Sequence, residues 1–378
     1  MSEQEFDVVV IGAGIAGASV ACELAREAKV LLLEGESQPG YHTTGRSAAL
    51  FSESYGPHPI RLLSRYSRDF LESPPEAFAD VPILADRGVL FVARDDQMEQ
   101  LSQVYKTSED EGSLRLIGAE DAYGLVPLLR EGYVAGAMVE NGARDIDVNA
   151  LHHGYLRSFR KSGGTLTCNA AVRELKRKGD CWTVETSAGA FEAPVVVNAA
   201  GAWVDEVAVM AGVAPIGIIP KRRTAMAVDI PDGIDVDGWP MVVDVEEQFY
   251  LKPDAGRFLV SPADATPTVP CDVQPEELDV AVCIDRIETA FELKVGRVVN
   301  KWAGLRNFVE DGVPVCGYDP QVEGFFWLAG QGGYGIQSAP GLSQAAAALL
   351  MGRALPARLA ALGFREDSVS PRRLERSA

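Results

Sequence analysis

The residues most able to do chemistry in this chain are glycines, carboxylates and arginines gathered in a few short strings. Gly12-Ala13-Gly14-Ile15-Ala16-Gly17 follows the apolar run Phe6 to Ile11, and Glu34 closes a second run, Lys29 to Glu34. A glycine at 12 permits a tight turn, one at 14 lets backbone N–H groups approach a pyrophosphate, and one at 17 lets a helix pack closely on its sheet. Glu34 is placed to take a ribose 2′-OH and to repel a 2′-phosphate. The pattern predicts a βαβ unit that binds a dinucleotide, with strands over 6–11 and 29–34 and a helix over 16–27. A second string, Gly330-Gln331-Gly332-Gly333-Tyr334-Gly335-Ile336-Gln337, follows the strand-like Phe325 to Ala329 and leads to a helix from about Pro340 to Met351. A helix start favours negative charge; a reduced flavin carries such charge around its N1 and C2 carbonyl and a nicotinamide does not, so FAD is favoured over NAD.

These strings need a scaffold, and the remaining sequence supplies its pattern. Ala193 to Asn198 is another β-branched run; it ends in Ala199-Ala200-Gly201-Ala202-Trp203, a small-residue turn with a helix behind it. Residues 58–72 and 147–161 read as helices, the second capped by Asp147, while 88–94 reads as a strand and 165–187 as a meander. Alternating strands at 216–229, 241–244, 249–252 and 257–261 predict a mostly antiparallel sheet. The class is therefore α/β, a Rossmann-like cofactor domain with an α+β second domain. At 378 residues the chain has room for two joined domains. The boundaries predicted are 1–50, 145–219 and 300–378 for the cofactor domain, with 51–144 and 220–299 forming the other.

Thirty-five Lys and Arg against 54 Asp and Glu give a net charge of −19, a field that repels nucleic acid and anionic membranes. The acidic amino terminus does not read as a signal peptide, and glycine interrupts the apolar stretches, so a cytoplasmic protein without a membrane span is expected. The six cysteines are scattered without a metal-ligand spacing, and no metal is expected. Lys221-Arg222-Arg223 reads by itself as a solvated charge run. On a strand, Arg222 faces opposite to Lys221 and Arg223, so at most one of the two arginines reaches a given pocket.

GAGIAG with Glu34, the Tyr41 to Ala49 segment, Val196 to Trp203, Trp302 to Arg306 and Gly330 to Gly335 together resemble the FAD-dependent D-amino acid oxidase (DAO) family over almost the whole chain. Within it, Gly45 to Ala49, Pro220 to Thr224, Tyr250 to Gly256 and Gly332 to Gln337 are most similar to the D-arginine dehydrogenase branch. The resemblance implies a noncovalent FAD, contacted by Gly12 to Gly17, Glu34, Thr43, Thr44, Gly45, Arg46, Ser47, Ala48, Ala49, Val172, Ala200, Gly201, Trp203 and the Gly332 to Gln337 string. It also implies a substrate site roofed by the antiparallel sheet. Arg223 and Arg306 would hold an α-carboxylate, Tyr55 and Tyr250 would flank it, the Gly333 carbonyl would accept the amino group, and Gln337 would order the site.

The reaction implied is oxidation of a D-α-amino acid, with the Cα hydride passing to flavin N5 and the imine then hydrolysed to a 2-oxo acid. The electrons would leave to a quinone, an electron-transfer protein or oxygen. Two departures bear on the side chain. Val89 stands where the branch has a glutamate for the substrate guanidinium, and Leu50 where it has a histidine. A cationic side chain would be left unpaired there, so a neutral or apolar one is expected. A glycine, sarcosine or other N-alkyl amino acid oxidase is an alternative; a 2-hydroxy acid dehydrogenase and a non-catalytic flavin-binding protein are more distant ones.

Overall fold

The computed structural model describes residues 4–108 and 114–374. Met1 to Glu3, part of the acidic amino terminus discussed above, lie outside the described residues. In chain order the elements that position the site are β1 (Val8–Ile11), α1 (Ile15–Leu24), β2 (Val30–Leu33), α2 (His58–Glu72), β3 (Val89–Ala93), β4 (Gly136–Glu140), α3 (Val148–Lys161), β5 (Thr165–Thr167), β6 (Val195–Asn198), β7 (Ile219–Asp229), β8 (Met241–Asp244), β9 (Tyr250–Asp254), β10 (Arg257–Ser261), α4 (Glu277–Ala290), β11 (Val298–Phe308), β12 (Val315–Tyr318), β13 (Phe325–Ala329) and α5 (Gly335–Leu350).

One sheet runs in the order β5, β2, β1, β6, β13, β12 and is parallel except for β12 at its edge. Its central strands are buried on both faces, which is why they read as unbroken apolar runs instead of alternating. α1 packs against both α3 and α5 and on the sheet, around Val10, Leu32, Tyr155 and Ala346. The sequence placed 165–167 in the meander, but these residues form β5, parallel to β2. The meander proper is the antiparallel set Val172–Lys178, Cys181–Thr186 and Gly189–Ala193. α5 also begins five residues earlier than expected, with Pro340 inside it rather than at its start. The ladder bond lost there is compensated next door, where the Gly341 N–H donates to Ser67 Oγ on α2 at 2.9 Å.

The second sheet is a large, mostly antiparallel one in which β11, β7, β10, β9, β8, β3 and β4 follow in order. Among the described residues its single parallel pair is β8 with β3. Alternation decides what each face does. Leu90, Val92, Val242, Leu251, Val260 and Met226 point to one side and pack under Cys283, Ile287 and Phe291 of α4 and its end. Val89, Phe91, Met241, Val243, Tyr250, Arg223 and Ala225 point to the other, toward the parallel sheet. Among the described residues no helix is long and apolar enough to cross a membrane, and no cluster of His, Cys, Asp and Glu could hold a metal ion.

Candidate active site and cofactor cleft

A cleft of roughly 530 Å³ is lined from both sheets. On the parallel side its wall is the carboxyl edge: Ile11 ends β1, Leu33 ends β2, Ala199 follows β6 and Gln331 follows β13. In an open α/β sheet that edge is where helix starts and turns leave backbone N–H groups free for a ligand. α1 and α5 both begin there without a cap from their own N-cap side chains, so the positive ends of both helices face the cleft.

The glycines behave as their spacing requires. Gly12 sits at φ +98°, and a Cβ on it would lie 2.5 Å from the Ala199 carbonyl; a Cβ on Gly17 would lie 1.8 Å from the Gly12 carbonyl. Glu34 accepts from the Ala13 N–H and the Glu36 N–H, each at 3.0 Å, and burial nevertheless raises its carboxyl pKa. Thr44 Oγ1 takes the Ile15 N–H at 3.0 Å and ties the 43–49 segment to the start of α1. Arg46 donates to the Val273 and Ala303 carbonyls and pairs with Asp272.

Sequence-designated cofactor residues Gly12, Gly14, Ile15, Ala16, Glu34, Thr43, Thr44, Arg46, Ser47, Ala48, Ala49, Val172, Ala200, Gly201, Trp203, Gly332, Gly333, Gly335 and Ile336 line the cleft. Ala13, Gly17, Gly45, Tyr334 and Gln337 stand behind its wall. Gln337 is a strut: its Oε1 accepts from the Ser52 N–H and its Nε2 donates to Ser64 Oγ, linking α5 to the 50–55 segment and α2. Tyr334 packs its ring on Tyr55 at 4.9 Å. Tyr334 and Gln337, contacts that the resemblance implies, are not among the residues lining the cleft.

The residues present fit an FAD. Asn307 Oδ1 and Gln331 Nε2, on cleft-lining residues, are buried without a hydrogen-bond partner in the protein. Such orphaned groups are costly unless a ligand satisfies them. No cysteine lines the cleft among the described residues.

Toward the large sheet the cleft narrows onto two guanidiniums. Arg223 lies across the β7–β11 ladder from Gly304, and Arg306 lies across from Lys221, so the two arginines are diagonal neighbours on one face. Arg222 turns to the opposite face, where it pairs with Asp279 and Glu276. Arg223 Nε donates to the Asp264 carbonyl at 2.8 Å, and Arg306 Nη1 donates to Tyr55 Oη at 3.3 Å. Burial and the neighbouring Arg306 charge push the Arg223 pKa down. Burial also works against the Arg306 charge, but Tyr55, Tyr250 and Glu247 more than offset it, and its pKa is raised.

Beyond the two guanidiniums the wall is apolar: Leu50, Val89, Phe91, Met241 and Val243, with Ala48 and Tyr250 beside them. Glu140 is paired with Val89 across the β3–β4 ladder, but its carboxylate is occupied by the Ser52 and Ser54 hydroxyls at 2.7 and 2.6 Å and by the Glu53 N–H.

Several cleft residues carry no motif and escaped the sequence reading. Phe91, Met241 and Val243 are found only once the faces of β3 and β8 are assigned, for which the strand alternation was the available signal. Glu247, in the turn between β8 and β9, reaches within 3.9 Å of Arg223 Nη2. His42, within the Tyr41 to Ala49 segment and open to a cofactor contact from the sequence, lines the cleft, bonds Glu36 at 3.0 Å and packs on Trp203 at 4.6 Å. Behind the lining, His152, one of four histidines without a telling context, is buried and meets the Ala13 carbonyl through Nε2 at 2.9 Å.

The model of the FAD dependent oxidoreductase (DAO) family matches residues 7–349. An uncharacterized oxidoreductase, YurR, of Bacillus subtilis is 26% identical over 369 residues, 91% of this chain and 95% of its own length. Glycine oxidase of Geobacillus kaustophilus is 24% identical over 89% of this chain and 90% of its own; its crystal structure superposes with a TM-score of 0.81 at 23% identity, covering 93% of this chain and 96% of that one. Mouse mitochondrial dimethylglycine dehydrogenase is 27% identical over 89% of this chain but only 41% of its own length. These likenesses do not point specifically to the D-arginine dehydrogenase branch.

Proposed function

The chain belongs to the DAO family of FAD-dependent oxidoreductases, and from that premise we propose that it oxidises D-α-amino acids with neutral, apolar side chains to the imino and then the 2-oxo acids. It acts on amino acids or amines; the side chain and its handedness are our reading. The observation that carries it is the joining of a two-arginine clamp to a purely apolar wall. Guanidiniums match a carboxylate with paired N–H donors, and Leu50, Val89, Phe91, Met241 and Val243 offer nothing to a charged side chain.

Bound FAD, held without a covalent link, supplies the two-electron acceptor. The protein's part is to bind and orient. Arg223 and Arg306 take the α-carboxylate, with Tyr55 steadying Arg306. Summed with Glu247, the two arginines leave one positive charge, which one carboxylate neutralises. Hydride loss from Cα needs the amine uncharged, its proton released to solvent, and the N–H is directed to the Gly333 carbonyl beside the clamp. The apolar wall excludes water from the side-chain end and sets the register of Cα.

A second reading, oxidation of glycine or an N-alkyl glycine, is favoured by the names of the relatives. One experiment separates the two. The purified yellow protein is mixed without oxygen with D-leucine, D-methionine, D-arginine, their L-forms, glycine, sarcosine and 2-hydroxy acids while the flavin's visible absorbance is followed. Bleaching by D-leucine and D-methionine well ahead of D-arginine is expected. Bleaching by sarcosine or glycine alone would replace the proposal with the second reading, and bleaching by none would overturn both.

A further inference from the structure

β7 keeps β11 on one edge but loses its neighbour on the other just where it presents Arg223. β10 ends at Ser261 and the short strand Thr266–Pro267 pairs again opposite Lys221 and Arg222, so 262–265 form an excursion beside Arg223 and Thr224. Side chains replace the missing ladder there. The Thr224 N–H donates to Asp264 Oδ1 at 2.6 Å, Thr224 Oγ1 donates to Asp264 Oδ2 at 3.2 Å, and the Thr224 carbonyl accepts from Ser261 Oγ at 2.5 Å. Ser261 Oγ in turn accepts from the N–H of Ala263, which sits at φ +52°, a backbone conformation unfavourable for alanine. That turn aims the Asp264 main-chain carbonyl at Arg223 Nε, 2.8 Å away.

We propose that Asp264 is the positioning residue of the carboxylate clamp, its side chain fastening the excursion to Thr224 so that its carbonyl fixes Arg223 with Nη1 and Nη2 toward the substrate. The assignment rests on the reading of Arg223 and Arg306 as a carboxylate clamp. The Asp264 carboxylate also lies 3.6 Å from Arg222 Nε on the opposite face of β7, so it fastens the excursion to Arg222 as well as to Thr224. Arg223 has one fixed N–H and a half-exposed Glu247 at 3.9 Å as a competing partner; freed at Nε, it would swing toward Glu247.

The test uses binding, so that it does not depend on turnover or handedness. The holoprotein is titrated with 4-methylpentanoate, which carries a leucine side chain and a carboxylate but no amine, and separately with 4-methylpentanamide; the readout is the perturbed flavin spectrum. Asp264→Ala is expected to weaken the carboxylate about tenfold, the effect of one disordered charge-assisted hydrogen bond, and to leave the amide unchanged. Asp264→Asn keeps an oxygen for the Thr224 N–H and recovers most of the loss. Equal weakening of acid and amide, or no weakening of either, overturns the positioning role. If the parent protein binds 4-methylpentanoate yet no D-amino acid bleaches it, the proposed reaction fails and this inference stands; if it does not bind 4-methylpentanoate, the clamp and this inference fail together.

Discussion

Gly333 offers a clean probe of the clamp. A Cβ built there would lie 2.9 Å from Arg306 Cζ and Nη1 and 3.2 Å from Nε, with no backbone among the nearest atoms. Its φ lies outside the left-handed region, so alanine is tolerated by the main chain; at neighbouring Gly332, φ is +54° and a Cβ would strike the Phe308 ring at 2.3 Å. In Gly333→Ala the guanidinium must retreat about 0.6 Å or more to reach an ordinary carbon contact of roughly 3.5 Å. That shift disengages one of the hydrogen bonds to the substrate carboxylate, each contributing about 1.5–3 kcal/mol. The expected fall in kcat/KM for D-leucine is roughly 10- to 150-fold, with the flavin content of the purified protein unchanged. Anaerobic stopped-flow reduction over a range of D-leucine concentrations measures it. A yellow Gly333→Ala protein that reduces with D-leucine within threefold of the parent would refute the placing of the carboxylate on Arg306.

Val89→Glu is expected to bring D-arginine and D-lysine into range and to lower turnover of D-leucine, read as the ratio of kcat/KM values. Because the introduced carboxylate would lie across the ladder from Glu140, the gain should grow as pH rises, and a flat pH profile would argue against that proximity. Burial holds the His152 imidazole below its ordinary range, so the unfolded chain binds a proton that the folded one does not. The stability this contributes is full above the ordinary pKa of ~6.5 and is lost as pH falls from there toward the lower folded value. Thermal unfolding of the holoprotein should therefore show a falling midpoint from about pH 7 to pH 5, less steeply in His152→Gln; parallel slopes would remove His152 from the explanation.

Much of the architecture was legible because it follows from local rules. The helix over 58–72 has the bounds its periodicity gave, and Asp147 caps α3 through its side chain to the Ala150 N–H. The alternation argument for Lys221, Arg222 and Arg223 also describes the strand as it stands. What was hidden depends on contacts between distant stretches. β5 looks like a strand of the meander until β2 is seen to accept it as a parallel neighbour. Pro340 reads as a helix start because the hydroxyl of Ser67, 274 residues away from Gly341, is invisible in the local string. Most of the motif residues line the cleft, whereas nothing in the sequence marked Glu247 and Asp264, since a turn carboxylate shows no sign of the arginine it meets.

The order of strands in the parallel sheet also constrains how the protein is made. β6 lies between β1 and β13, and α5 packs on α1, so the centre of the cofactor half is closed by residues more than 300 positions after the glycine turn that begins it. During synthesis the edge of β6 stays open, with its apolar faces uncovered, until Phe325–Ala329 has emerged. The nascent cleft lacks one of its two helix starts until α5 forms. Flavin capture is thus a late event, and the incomplete sheet is exposed to mispairing for most of translation.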